Sequence, residues 1–139
     1  MVHALEEIRR TLVPEGVLID LRPLAASWAV EVTSGTLEHQ VGRLTDDPQA
    51  PAYDQAANKA LQKAARRGWF IREADASFPF FYYWDSPEEM RDYIQEEWSD
   101  FIQQDEALFS ATQSAWEAAG PDRRLRVRVK MHLARWRKH

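Results

Sequence analysis

Residues 3–23, HALEEIRRTLVPEGVLIDLRP, read as one helix, one turn and one strand. Leu5, Ile8 and Leu12 recur at helical spacing over residues 2–13, and Pro14-Glu15-Gly16 stops that helix. Residues 16–21, GVLIDL, form a nearly continuous apolar run, the pattern of a strand covered on both faces and often parallel to its neighbours. Pro23 closes it. A helix that leads directly into such a strand predicts a sheet layered with helices, α/β to α+β in class.

The residues beyond extend this pattern. Trp28, Val30 and Val32 alternate with Ala29 and Glu31, and residues 37–44 remain extended after Ser34-Gly35, which predicts a hairpin ended by Asp46-Asp47-Pro48. Residues 51–67 place Tyr53, Ala56, Ala57, Ala60, Leu61 and Ala64 on one stripe, so a helix with small residues is expected to lie close against the sheet, with Gly68 as its C-cap. Residues 69–84 are aromatic and extended, and Pro79 puts part of this strand at an edge or a bulge. Ser86-Pro87-Glu88-Glu89 has the form of a capping box and opens a helix that buries Met90, Tyr93, Ile94, Trp98 and Phe101. Residues 106–119 give a further helix, through Leu108, Phe109, Thr112, Ala115 and Trp116, before Gly120-Pro121. In the last strand Leu125, Val127, Val129, Met131 and Leu133 alternate with Arg124, Arg126, Arg128, Lys130 and His132, which predicts one core face and one cationic face. No repeat and no long linker interrupts the pattern, so residues 1–139 are expected to form a single domain.

Composition narrows the function classes. With 45% hydrophobic and 29% charged residues the chain reads as globular, not disordered. It has no cysteine, which excludes disulfides, thiolate metal sites and thiol nucleophiles. No apolar run approaches the roughly 20 residues of a membrane span, and MVHALEEIRR carries no apolar signal core, so no membrane partner and a cytoplasmic location are expected. The net charge of −4 hides an asymmetry: residues 123–139 hold eight basic residues and no acid, whereas residues 85–122 hold eleven acids and Arg91 alone as a base. Self-neutralisation, within the chain or with a second subunit, is expected ahead of a nucleic-acid footprint, because the acidic body repels phosphate.

Residues 3–23 resemble the segment of class I S-adenosylmethionine-dependent methyltransferases in which a helix passes through a proline–glycine turn into the fifth strand of a Rossmann-like sheet. The stripe Leu5, Ile8 and Leu12, the turn Pro14-Glu15-Gly16 and residues 17–21 carry the likeness. It implies that residues 51–68, 69–84 and 125–136 are the helix, strand and final antiparallel strand that follow in that family, with residues 86–120 as a helical insertion and the hairpin as an addition. The implied fold is half of a Rossmann-like methyltransferase sheet, mixed or antiparallel and packed by helices. The family binds its cofactor through a glycine-rich loop and an acid in the other half; here the five glycines are scattered and no G-x-G occurs. The resemblance therefore implies no cofactor in a single chain, and S-adenosylmethionine only where a separate first half is supplied. It also implies an unpaired edge at residues 17–21, where Leu18 and Ile19 invite another chain, foremost a second copy in a homodimer.

Several residues are candidates for chemistry or recognition. Asp20 and Arg22 stand at the carboxyl end of the first strand, where open α/β sheets place ligands. His39 has the pKa range of an acid–base group, Tyr82 and Tyr83 offer hydroxyls, and Asp85 is either a base or the residue before a helix cap. Glu88, Glu89, Glu96 and Glu97 recur at helical spacing, yet without nearby histidines they read as a solvated face and not as a metal site. The aromatic run 78–84, with Phe80 and Tyr82, calls for cover by helices, by a partner or by a planar ligand. Arg124, Arg126, Arg128 and Lys130 are expected to pair with the acids of residues 85–122 or with a partner subunit. The leading expectation is a non-enzymatic, methyltransferase-like interaction module. The alternatives are a small-ligand binder or methyltransferase-related enzyme with a pocket between the hairpin and the aromatic strand, and a nucleic-acid binder using the basic strand.

Overall fold

The structure, a computed structural model, describes residues 2–25 and 28–139. Its class is α+β, a mostly antiparallel open sheet packed by helices. Along the chain run α1 (Val2–Thr11), β1 (Val17–Pro23), β2 (Ala29–Ser34), β3 (Leu37–Arg43), β4 (Thr45–Asp46), α2 (Ala50–Arg66) and β5 (Phe70–Trp84). There follow α3 (Pro87–Tyr93), a π-helical turn Ile94–Trp98, β6 (Ile102–Gln103), α4 (Glu106–Ala118) and β7 (Arg124–Lys138). Strand β7 pairs with β1, β2 and β5, β2 pairs with β3, and β4 with β6 forms a separate two-stranded ladder. Two compact units are distinguished: Met1–Leu24, Gln49–Phe78 and Met131–His139 make the first, Ala25–Pro48 and Pro79–Lys130 the second.

In the first unit, the turn after α1 is built for glycine: a Cβ on Gly16 would lie 2.8 Å from the Val13 carbonyl oxygen. Strand β1 then runs antiparallel to β7, from Val17 opposite Arg137 to Pro23 opposite Met131. Leu5 of α1 and Ala60, Leu61 and Ala64 of α2 bury against Phe70, Ala134 and Trp136, with Leu18 packed on the same cluster. The small residues of α2 allow this close approach. The expectation that residues 16–21 are covered on both faces, with a parallel neighbour, is corrected. Only the Leu18 face meets helices, and Val17, Ile19 and Leu21 are 37%, 52% and 54% exposed. An apolar run records which residues tolerate burial, but cover depends on which elements pack there.

In the second unit, β2 lies between β3 and β7, and Trp28, Ala29, Val30 and Val32 are all buried together with Leu125, Val127 and Val129. Met90 of α3, Ile94 and Trp98 of the π turn and Phe109 of α4 are buried as well. The Ser86 cap forms as read, its Oγ accepting from the Glu89 N–H at 3.1 Å, while the return bond runs one residue further back, the Glu89 carboxylate accepting from the Asp85 N–H at 2.9 Å. Asp105 caps α4 by accepting from the Leu108 N–H at 2.7 Å. The alternation of β7 needs a second correction. Its odd residues are buried only through Val129; Met131 and Leu133 are half-buried, and Ala134 and Trp136 are the buried residues of its last part. Within each unit, the helices that pack there select which parity of β7 faces inward.

Candidate functional site

The Asp20 and Arg22 pair lies in the first unit, on the face of β1 opposite to the exposed Val17, Ile19 and Leu21. Arg22 Nε is 3.4 Å from Asp20 Oδ1, and its terminal nitrogens donate to the Asp54 carbonyl oxygen at 3.2 Å and to Asn58 Oδ1 at 2.5 Å. His132, directly opposite Arg22 on β7, brings Nε2 to 3.9 Å from Asp20 Oδ2. Helix α2 thus supplies Asp54 and Asn58, one turn apart, to anchor a largely buried guanidinium. Asp20 Oδ2 and Arg22 Nε have no hydrogen-bond partner in this cluster. Asp54, Asn58 and His132 were not legible as its members, because a helix and two strands distant in sequence had to converge first.

Of the ladder expected to pair with the acids of residues 85–122, Arg126 and Arg128 find their counter-charge on β2 and β3 instead, which corrects the expected pairing for these two. Glu31, 3% exposed, accepts from Arg126 Nε at 2.7 Å on one oxygen and from Arg128 Nε at 2.6 Å on the other. A second Arg126 nitrogen donates to Glu38 at 2.8 Å, and the guanidinium lies 4.4 Å from the Phe81 ring centre. Burial opposes its charge, but hydrogen bonds to Glu38, Glu31 and Tyr83 hold the Arg126 guanidinium above its ordinary pKa. The register explains the pattern, since Glu31 sits opposite Arg126 whereas Arg124 sits opposite Thr33. Among the described residues the Arg124 side chain has no ion-pair partner, and Lys130 is exposed. The signal for Glu31 was present in Trp28-Ala29-Val30-Glu31-Val32, an acid inside a run of buried residues, and only the pairing with β7 gives it meaning.

The remaining candidates belong to the second unit. Tyr82 packs edge-on to Trp98 with centroids 4.8 Å apart and to Phe80 at 5.0 Å; burial, and then Tyr93, push its hydroxyl above the ordinary pKa. It is part of an aromatic cluster centred on Trp98, which also meets Trp28 at 5.3 Å and Tyr93 at 5.4 Å. Phe80 is exposed. His39 is exposed on β3, opposite Val32, and borders a groove of about 310 Å³ with Leu37, Ala115 and Gly120. Asp85 precedes the α3 cap and lines an open cleft of about 930 Å³ together with Tyr83, Trp116, Arg123 and Arg124. Asp20 and Arg22 belong to the first unit, and His39, Tyr82 and Tyr83 to the second. Glu88 is taken up by a hydrogen bond from Gln113 at 2.8 Å, which holds its carboxyl below the ordinary range. Among the described residues no group of three histidine or acidic side chains could hold a metal ion, and no helix is long and apolar enough to cross a membrane. No family model, curated protein or solved structure matches the chain.

Proposed function

We propose that the chain is a methyltransferase-like, non-enzymatic module that works by pairing with a second copy of itself through β1. The observation that carries this reading is the uncovered apolar face of β1, where Val17, Ile19 and Leu21 stand at alternate positions. Across the ladder, Leu133 lies opposite Leu21 and Met131 opposite Pro23, so the apolar surface continues onto β7. Arg135 and Arg137, opposite Ile19 and Val17, are neutralised by Glu73 at 2.9 and 2.6 Å, and Arg137 also by Glu15. Neutralised charges beside an apolar stripe permit a like surface to approach, and a strand with one paired edge offers backbone groups to it. Support for the methyltransferase-like origin comes from element order: α1, the turn at residues 14–16, β1, α2 and β5 lead to a final strand antiparallel to β1. The ion-paired state of Arg126 and Arg128 speaks against nucleic acid as the partner.

Light scattering and paired substitutions test the proposal. The parent protein is expected at about twice its 16.2 kDa chain mass. Ile19→Lys should give a folded monomer, because Ile19 is exposed in a single copy, whereas Leu18→Lys should unfold the chain by placing a charge in the α1–α2 core. A parent protein that is monomeric at micromolar concentration overturns the reading.

A further inference from the structure

The open cleft of the second unit has the chemistry of a ligand site independent of self-association. One wall is β5 at Tyr83 and Trp84, the other is Trp116 of α4, and the segment entering β7 supplies Arg123 and Arg124. The rim is held in place. Asp122 accepts from the Ser34 hydroxyl at 2.5 Å and from the Gly35 N–H at 2.6 Å, which ties the segment before β7 to the β2–β3 turn. Gly120 lets this tie close, since a Cβ there would lie 2.8 Å from Ser34 Oγ. Both Asp122 oxygens are therefore engaged with the turn.

The two arginines differ in state. Arg123 lies over the Trp116 ring, its guanidinium carbon 4.6 Å from the ring centre, so that it covers one face of the indole. Arg124 continues the ladder of Arg126 and Arg128 into the cleft, but its cross-strand neighbour is Thr33, and its guanidinium has no carboxylate partner among the described residues. Tyr83, 52% exposed, presents ring surface to the same space. A guanidinium binds carboxylate or phosphate bidentately, and an aromatic–guanidinium stack takes a planar ring. The volume of about 930 Å³ falls at the upper end of the range for small-molecule sites.

We infer that this cleft binds a small molecule in which a planar aromatic ring carries a carboxylate or phosphate, the ring resting against Trp116 and Tyr83 and the anion on Arg124. Asp85, at the cleft wall, is placed to accept a hydrogen bond from a donor on the ring.

Calorimetric titration of the full chain tests the site with uridine 5′-monophosphate, phenyl phosphate and benzoate, against inorganic phosphate and uridine as the ringless and anionless controls. At least one ring-bearing anion should bind ten-fold or more tightly than both controls, and which one binds best distinguishes a nucleotide from a simple aryl acid. Arg124→Gln and Trp116→Leu should each weaken that binding at least ten-fold, with the circular dichroism of the parent retained; Arg124→Lys should restore part of it. Should Trp116→Leu fail to fold, Arg124→Gln alone decides, because Arg124 is exposed and outside the core. The proposal is overturned by binding no stronger than that of the controls, by binding unchanged in Arg124→Gln, or by an eight-nucleotide single strand that binds far more tightly than any monomer. Because Ile19→Lys leaves the cleft intact, its ligand binding separates this site from the β1 interface.

Discussion

At the scale of the residue, Glu31 has the most to lose. It is one carboxylate shared by two guanidinium groups inside a sheet, and its removal strands both of them. Breaking a buried pair by deleting one partner costs about 3 to 5 kcal/mol, whereas an exposed pair is worth about 0 to 1 kcal/mol. Urea denaturation should therefore show a loss of about 3 kcal/mol or more for Glu31→Gln and less than about 1 kcal/mol for Glu38→Gln, whose side chain is two-thirds exposed. Equal losses in the two variants would falsify the view that burial, and not the number of arginine contacts, sets the cost. The basic alternation of residues 124–130 was legible from sequence; the partner of Arg126 and Arg128 was not, because Glu31 lies about 95 residues away along the chain, while the nearer acids Asp122 and Glu88 are engaged by Ser34, Gly35 and Gln113.

At the scale of the element, the β2–β3 hairpin depends on a group 87 residues away. Gly35 adopts a φ of +57°, which L side chains rarely accept, and Asp122 then takes its N–H and the Ser34 hydroxyl. The Ser34 bond first, and the Gly35 bond second, hold the Asp122 carboxyl below its usual value of 3.8. A carboxyl with a lowered folded-state pKa stabilises the fold fully above its unfolded value, and the contribution disappears as pH falls through the folded value. Asp122→Asn should accordingly melt at a lower temperature than the parent near neutral pH, with the difference closing below about pH 3.8. Thermal melts at several pH values measure this, and a difference independent of pH contradicts it. The hairpin itself was readable from Ser34-Gly35 and the flanking extended residues, but its long-range tie was not, since an aspartate after Gly120-Pro121 reads locally as a loop residue.

At the scale of the whole molecule, the proposed methyltransferase-like reading carries an expectation about the cofactor. A glycine-rich loop works by letting backbone approach a ligand closely, and the glycines of this chain serve other purposes: Gly16 and Gly35 shape turns, and Gly120 makes room for Ser34. Titration of the pure chain with S-adenosylmethionine is expected to give no saturable binding tighter than about 100 μM, or roughly −5.5 kcal/mol. Tighter binding would place a cofactor site in this chain and contradict the proposed reading.

Local patterns located the longer elements, because caps, turn glycines and hydrophobic periods act within a few residues: the Ser86 cap, the stop at residues 14–16 and the extended run to Trp84 stand where the sequence puts them, whereas the α2 stripe is buried only at Ala60, Leu61 and Ala64 and leaves Tyr53 exposed, and β4, β6 and the π-helical turn were not legible. The class, α+β with helices on a sheet, follows from those elements. The choice of covered faces did not follow. Leu18 and Ile19 are equally apolar, yet one is packed under helices and the other is bare, and β7 buries odd residues near Val127 and even ones near Trp136. Alternation specifies that two faces differ but carries no label for which one a distant helix will meet. Tertiary structure alone supplied that label, and with it the burial of Glu31, the convergence of Asp54, Asn58 and His132 on Arg22, and the cleft beside Arg124.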